Sequence, residues 1–352
     1  MSDAQKYNDD FLGSKRQMGD LAADTFIQEI FKNPEQKMSL HQWMSDATRN
    51  NQLEDLARLF PGVLLFSNAA ELPDWADRRL VKAGSDFFVR HAETIMTLLG
   101  LLSLPYCYTA ANGAMVLYLS ERIRKETAKR LYETAVFVWE VMAPGAFEKE
   151  GKAFTEIMKV RLMHAAGRYY TLQSGKWDNA WGQPINQEDM AGTNLSFSLL
   201  VIRGLRKMGY NVSWADQQAF MHIWNVIGCL SGLDEELIPK DSKMAQNLDR
   251  AISHRQFAVS SHGRELTKSL TDHIIEINKG KASSNDILGL MRYLLGAKVG
   301  NMLSINAPDL PAYKISILQT INIFKSFKPK GDTDFAYHRA YAKFKLQKPV
   351  SA

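Results

Sequence analysis

The feature that most constrains this fold is helical periodicity, which recurs along nearly all of the 352 residues. Apolar side chains return every three or four positions, the spacing that gives a helix one apolar face. No pair of segments shows the alternation that is typical of neighbouring strands. With 45% hydrophobic and 23% charged residues, the chain can bury a large core and does not resemble a disordered sequence. The sequence therefore predicts an all-α protein.

Start and stop signals divide the chain into three regions. Residues 1–72 are predicted to form an N-terminal helical extension, residues 73–310 the main helical domain, and residues 311–352 a C-terminal helix and basic tail. Helices are expected near residues 19–31, 39–50, 74–89, 91–102, 111–119, 120–142, 152–172, 187–208, 214–231, 263–278, 284–296 and 311–324. Pro73 is expected to open one helix and Asn186 to cap another.

The most apolar stretch, residues 95–119, is interrupted by Pro105 and Asn112. A transmembrane helix needs roughly 20 unbroken apolar residues. Two buried helices that meet near Leu104 are therefore predicted, and no transmembrane segment. The first twenty residues lack an apolar leader, and two cysteines cannot build a disulfide framework, so a cytoplasmic location is expected.

The net charge of +5 lies entirely in the last part of the chain. From residue 325 onward, seven basic side chains (Lys325, Lys328, Lys330, Arg339, Lys343, Lys345 and Lys348) outnumber two acidic ones (Asp332 and Asp334). A solvated C-terminal helix explains this tail more simply than contact with an anionic surface. Specific nucleic-acid binding would need a broader basic face, so it is not predicted.

One helical segment carries a pattern that suits a cofactor. Arg161, His164 and Arg168 fall on one face, and small residues at 165–167 would let a flat group approach the helix. An imidazole can ligate the iron of a haem, and guanidinium groups can pair with its propionates. The alternative is a histidine that is simply packed in the core.

The predicted helix at residues 120–142 carries polar groups on an otherwise apolar face, and these groups could take part in catalysis. Arg130, Glu133 and Thr134 line the same side as Phe137 and Val138. Such groups could stabilise bound dioxygen and move a proton, and they are the predicted catalytic residues. The alternative is an ordinary ion pair at the edge of the protein surface.

Together these motifs resemble one family. Arg161-Leu-Met-His164-Ala-Ala-Gly-Arg168 is similar to the histidine motif shared by bacterial latex-clearing proteins (rubber oxygenases) and fungal MpaB-type oxygenases. The spacing from Arg130-x-x-Glu133-Thr134 to His164 also resembles that family. The resemblance covers roughly residues 75–305, and three further segments contribute to it: Gly182-Gln-Pro184-Ile-Asn186-Gln187-x-x-Met190-x-x-Thr193, Trp214…His222-x-Trp224-x-x-x-Gly228 and Arg292-Tyr-Leu-Leu295-Gly296.

The resemblance implies a globin-like helical core that holds a non-covalent haem b, with His164 as the proximal iron ligand. Arg130 and Thr134 match positions on the oxygen side. Glu133 stands where rubber oxygenases carry a lysine, and no acidic residue near 112–117 matches the base proposed for those enzymes. These departures favour a small apolar substrate, such as an alkene-bearing terpenoid or lipid, over rubber.

Two alternative functions remain at this point. The chain could bind haem without turnover, as a gas sensor, haem sensor or carrier, or it could be a haem-free helical interaction protein. A Soret absorption band would exclude the last, and substrate-dependent oxygen consumption would exclude the first. His222 is expected to be a packed residue outside the haem ligands, and the sequence does not predict the oligomeric state.

Overall fold

A computed structural model describes residues 6–326 and 332–349, and within them the protein is all-helical. In this part of the chain no strand forms, and an isolated bridge joins Ala110 to Phe257. The predicted all-α fold is confirmed. The helices of the first half are α1 (Asp9–Arg16), α2 (Leu21–Ile30), α3 (Pro34–Asp46), α4 (Leu53–Leu59), α5 (Arg78–Leu98), α6 (Leu104–Tyr108), α7 (Ala111–Leu119), α8 (Arg122–Lys125), α9 (Thr127–Val141) and α10 (Ala153–Gln173).

The second half continues with α11 (Gln187–Phe197), α12 (Leu199–Lys207), α13 (Trp214–Leu230), α14 (Ser242–Gln256), α15 (Ser261–Ile277), α16 (Ser284–Leu295), α17 (Ala297–Met302), α18 (Ala312–Ser326) and α19 (Thr333–Lys345). Many of them begin at a polar residue whose side chain accepts a backbone N–H. Asn186 caps α11 as predicted, because its side chain accepts the N–H of Asp189 at 2.9 Å.

The prediction for residues 74–102 was wrong in two respects. The helix begins at Arg78, capped by Asp77, and not at Pro73. It also continues without a break to Leu98, where two helices had been expected. A π-helical turn, Leu99–Ser103, then leads directly into Pro105 within α6. Since proline lacks an N–H, a wider turn before it lets the helix continue.

Other predicted helices are divided in the structure. The segment at 120–142 breaks at Glu126 into α8 and α9, and the segment at 187–208 breaks at Ser198 into α11 and α12. Ser198 leaves the helical region, with φ −106° and ψ −82°. Five helices have no counterpart among the predicted ones, namely α1, α4, α6, α14 and α17. They are short or strongly polar, which weakens the periodic signal.

The main core is built around the contact between α5 and α13. Gly84 lies at this contact, where a β-carbon would come within 2.6 Å of the Ala219 carbonyl oxygen and 2.7 Å of Ile223 Cγ2. The two helices therefore approach each other so closely that only glycine fits at this position.

We expect Gly84→Ala to lower the free energy of unfolding by about 1–3 kcal/mol, because the added methyl group would have to push backbone atoms apart. Gly13→Ala in α1 is the matched control. Its nearest neighbour would be Arg255 Nη2 at 3.9 Å, so the substitution should be neutral or stabilising by up to about 1 kcal/mol. Urea denaturation of both variants checks this expectation, and equal stabilities would contradict it.

The C-terminal helix α19 is packed and not simply solvated. Tyr337 and Tyr341 are buried, and their hydroxyls donate to the Trp139 carbonyl at 2.9 Å and to Glu140 Oε1 at 2.7 Å. The expectation of a solvated C-terminal helix was therefore wrong for this segment. The residues at 327–331 and 350–352, which include Lys328 and Lys330 of the basic tail, lie outside the described residues, as does the side chain of Lys325.

One continuous helical stretch in the described residues, Arg78–Tyr108, is long and apolar enough to cross a membrane by length and composition. Half of its most apolar window is buried inside the protein. A core helix of a globular protein passes the same test, so this helix is weak evidence for a membrane span.

Candidate active site

Four helices surround the region that contains His164. Helices α7 and α9 each contact both α10 and α15, so the four helices form one packed group. His164 lies on α10, and Arg130, Glu133 and Thr134 lie on α9. At the start of α7, Nε2 of His262 donates to the Ala111 carbonyl oxygen at 2.7 Å and ties α15 to α7.

Helix α7 is apolar on nearly every side, although Ala114 is its only buried residue. Its other side chains, including Met115, Val116 and Leu117, are half-buried. Half-exposed apolar side chains of this kind are typical of a surface that binds an apolar ligand.

His164 has an unusual buried nitrogen. Its Nδ1 is sealed from solvent and has no hydrogen-bond partner in the described part of the chain, whereas the residue as a whole is only half-buried. Burial lowers the pKa of His164 to about 4, and the nearby charges of Arg168 and Arg130 act in the same direction. The imidazole is therefore neutral at pH 7 and keeps the lone pair that a metal ligand needs.

Arg130 lies near enough to His164 for its charge to act on the imidazole. The same charge acts on Tyr108, whose hydroxyl is fully buried without a partner among the described residues. Burial raises the pKa of Tyr108, so its hydroxyl remains protonated. Sequence analysis missed Tyr108, because an apolar stretch gives no sign of which aromatic side chain turns inward.

The Glu133 carboxylate is paired with two arginines. Its two carboxylate oxygens accept from Arg122 Nη2 at 3.0 and 2.9 Å, and Arg130 Nη1 lies 3.5 Å from Oε2. The Thr134 hydroxyl donates to the Arg130 carbonyl at 3.0 Å, an ordinary bond within the helix. Arg122 is a further residue that sequence analysis missed, because the break at Glu126 sets its position relative to α9.

The two predicted propionate ligands both contact the N-terminal region. Arg161 donates from Nε and Nη2 to the two carboxylate oxygens of Asp20, at 2.6 and 3.1 Å. Arg168 donates from Nε to Asp24 Oδ1 at 2.5 Å and from Nη1 to the Ile185 carbonyl at 3.1 Å. The Nη2 of Arg168 is buried without a partner among the described residues. Neither aspartate could be identified from the sequence, because the pairs join residues more than 140 positions apart.

The Gly182–Thr193 motif docks this N-terminal region against the core. Gln187 donates to the carbonyls of Gly19 and Gly232, both at 2.9 Å. Glu188 is fully buried and accepts from Arg255 at 2.8 Å and from Arg16 at 3.4 Å. The motif therefore joins α1 to the rest of the protein through buried hydrogen bonds.

A cavity of about 340 Å³ lies beside Arg161. Apolar side chains from α10 and the 64–69 turn form most of its wall. His164 is not part of that wall, so we place the candidate chemistry at His164 and not in this cavity. Among residues 6–326 and 332–349, no cluster of three or more His, Cys, Asp or Glu side chains could hold a metal ion.

Comparison with known proteins gives three matches. Residues 90–314 match the family model for the catalytic domain of the ER-bound oxygenase mpaB/B' and rubber oxygenase. A curated protein named rubber oxygenase, from Streptomyces sp. (strain K30), is 28% identical over 272 residues. That match covers 76% of this chain and 65% of the relative, slightly less than two thirds of its length. The structure titled latex clearing protein LCP in the closed state has a TM-score of 0.76 at 22% identity, covering 94% of this chain and 91% of that one.

Proposed function

Because the chain belongs to the family of MpaB-type and rubber oxygenase catalytic domains, we propose that it is a haem b-dependent oxygenase that acts with dioxygen on a small apolar substrate. The observation that carries this proposal is His164, a neutral imidazole with a buried Nδ1 on the helix that bears the family motif. The resemblance inferred from the sequence is confirmed by the family match. The identity of the cofactor, the substrate class and catalytic turnover are our proposals for this chain.

The residues at His164 fit a haem. A single imidazole gives a metal ion one ligand, whereas a porphyrin brings four nitrogen ligands of its own. When bound, the haem would supply the iron that activates dioxygen. His164 would hold the iron, and the unpaired Nη2 of Arg168 offers a donor for a carboxylate.

Helix α9 contributes the polar groups. The Arg130 guanidinium is half-buried and lies 3.5 Å from Glu133 Oε2, and its charge acts on the His164 imidazole. A cationic donor in such a position stabilises negative charge that develops on oxygen. Glu133, paired with Arg122 and Arg130, is the acidic group of this cluster that could take up or give a proton.

The half-buried apolar side chains of α7 favour an apolar substrate. They offer no charged group that would recognise a polar one, so binding would depend on the removal of apolar surface from water. The Streptomyces relative is named for rubber. For this chain we propose a smaller molecule of the same chemical kind, an alkene-bearing terpenoid or lipid.

The test is oxygen uptake by the haem-loaded protein with a panel of alkene-bearing terpenoids and lipids, using isotopically labelled dioxygen. We expect uptake that depends on one class of substrate and label in the product. A protein that binds haem but consumes no oxygen with any member of the panel would instead be a haem carrier or sensor.

We expect Glu133→Gln to alter the ferric absorption spectrum or its dependence on pH. The change removes the carboxylate that faces Arg130, so the guanidinium keeps its full charge near the iron site. Glu126→Gln, an exposed acid at the start of the same helix, is the control. If the Glu133→Gln and wild-type spectra superimpose at every pH, Glu133 does not act on the iron site.

The location in the cell is also a proposal. We propose that the protein works in the cytoplasm, with the stretch Arg78–Tyr108 serving as a core helix. Fractionation of cells that express the full chain tests this, and recovery with the membranes after a salt wash would contradict it.

A further inference from the structure

The two arginines on α10 differ in how much of their hydrogen-bonding capacity the protein already uses. Arg161 gives two donors to Asp20, and its Nη1 lies 3.5 Å from the Leu230 carbonyl oxygen. Arg168 is bound through Nε and Nη1 but keeps Nη2 unpaired in the described part of the chain, although its side chain is only 3% exposed. An unpaired buried donor is costly unless a ligand satisfies it.

The contact between Arg168 and the N-terminal region is tightly built. A β-carbon at Gly19 would lie 2.5 Å from Asp24 Oδ2 and 3.1 Å from Arg168 Cδ, so any larger residue at this position would displace the Asp24 or Arg168 side chain. Asp20, the residue that follows, caps α2 and pairs with Arg161. Asp24 lies one turn further along α2. Each aspartate therefore pairs with a different arginine: Asp20 with Arg161, and Asp24 with Arg168.

The charge balance determines what each arginine can do. The side-chain carboxylate of Asp20 is 5% exposed and already neutralises Arg161 through two donors. The Arg168–Asp24 pair is also neutral overall, so it can attract an anion only through the directed N–H groups of Nη2. A single directed hydrogen bond depends on orientation more than a net charge does.

We infer that the N-terminal segment Asp9–Ile30 completes the anion-binding side of the proposed haem site. Asp24 is a positioning residue that orients Arg168, and Arg168 Nη2 binds one carboxylate of the cofactor. Asp20 holds Arg161 in a structural pair, so Arg161 binds no carboxylate. This inference rests on the proposed function. The sequence suggested that Arg161 and Arg168 both bind haem propionates, whereas the structure leads us to assign this role to Arg168 alone.

The test uses the full-length protein without haem, titrated with ferric haem and with its dimethyl ester, in which both carboxylates are blocked. Wild type should bind ferric haem at least about tenfold more tightly than the ester. Arg168→Ala should lose this preference, whereas Arg161→Ala should keep it. Because the preference is a ratio measured within one variant, a general loss of stability does not produce the same result.

The positioning role of Asp24 has its own variants. Asp24→Ala should reduce the preference, and Asp24→Asn should restore it, because the amide oxygen still accepts from Arg168 Nε and the lost charge no longer opposes a bound carboxylate. Asp10→Ala removes an exposed acid of the same segment and should match wild type. Circular dichroism verifies that each variant is folded, and Arg168→Gln and Arg161→Gln replace any alanine variant that is not.

Two results would overturn the inference while the proposed function stands. One is equal wild-type affinity for ferric haem and its ester, and the other is a preference lost in Arg161→Ala and kept in Arg168→Ala. An Asp24→Ala variant with the full wild-type preference would remove the positioning role. If wild type bound neither ligand, the proposed function itself would fall, and the inference with it.

Discussion

His164→Ala should abolish most haem binding and leave the helical fold intact. The substitution removes the single protein ligand that we assign to the iron, and the described residues contain no cluster of three or more His, Cys, Asp or Glu side chains that could hold a metal ion. The affinity for ferric haem should fall at least about tenfold, since a metal–ligand bond is lost. Haem content of the purified variant and its Soret absorbance measure the effect.

The stability of the haem-free protein should change little in this variant. Removal of the imidazole leaves a small cavity, which is destabilising, but it also removes a buried nitrogen without a partner, which is stabilising. The two effects oppose each other, and we expect a net change within about 1 kcal/mol. His222→Gln is the matched control. Its Nε2 accepts the Asp77 N–H at 3.0 Å, so the variant should lose stability and keep the haem spectrum. Full haem retention in His164→Ala would refute the ligand assignment.

Glu188→Ala should be among the most destabilising single substitutions in this protein. The carboxylate is fully buried and accepts from Arg255 Nε at 2.8 Å, Gln256 Nε2 at 2.9 Å and Arg16 Nη1 at 3.4 Å. Its removal leaves Arg255 paired with the exposed Asp9 and Arg16 paired with Asp189, without the fully buried carboxylate that the two arginines share, at an expected cost of about 3–5 kcal/mol. Thermal and urea unfolding measure the loss.

The same substitution should release the N-terminal region before the rest of the protein unfolds. Arg16 belongs to α1, so we expect proteolytic cleavage within the first 30 residues at lower protease concentration than in wild type. Glu29→Ala, an exposed acid paired with Lys32, is the control and should cost at most about 0.5 kcal/mol. A Glu188→Ala variant as stable and as resistant as wild type would show that α1 is held by other contacts.

The sequence predicted the parts of this protein that depend on local spacing. The periodic pattern was sufficient for the all-α fold, and the motif around His164 led to the family. Helix boundaries were less accurate wherever the surrounding protein overrides local preference, as at Pro105, which a π-helical turn accommodates.

Contacts between distant parts of the chain could not be predicted. Arg161 and Arg168 looked equivalent in the sequence, because their partners lie in the N-terminal region. Only the docking of α2 against α10 shows the difference. Asp20 binds Arg161 through two donors, whereas Arg168 keeps Nη2 without a partner among the described residues. The same limit applies to Glu188, which is fully buried and bonded to residues of α1 and α14 that lie far away in the sequence.

The central claim is that this helical fold holds one haem through His164. Titration of the haem-free, full-length protein with ferric haem tests it most directly, with the Soret absorbance followed in wild type and in His164→Ala. We predict saturation at one haem per chain, with a shifted and sharpened Soret band that the variant lacks. A wild-type titration without saturation, or identical titrations for the two proteins, would contradict the claim.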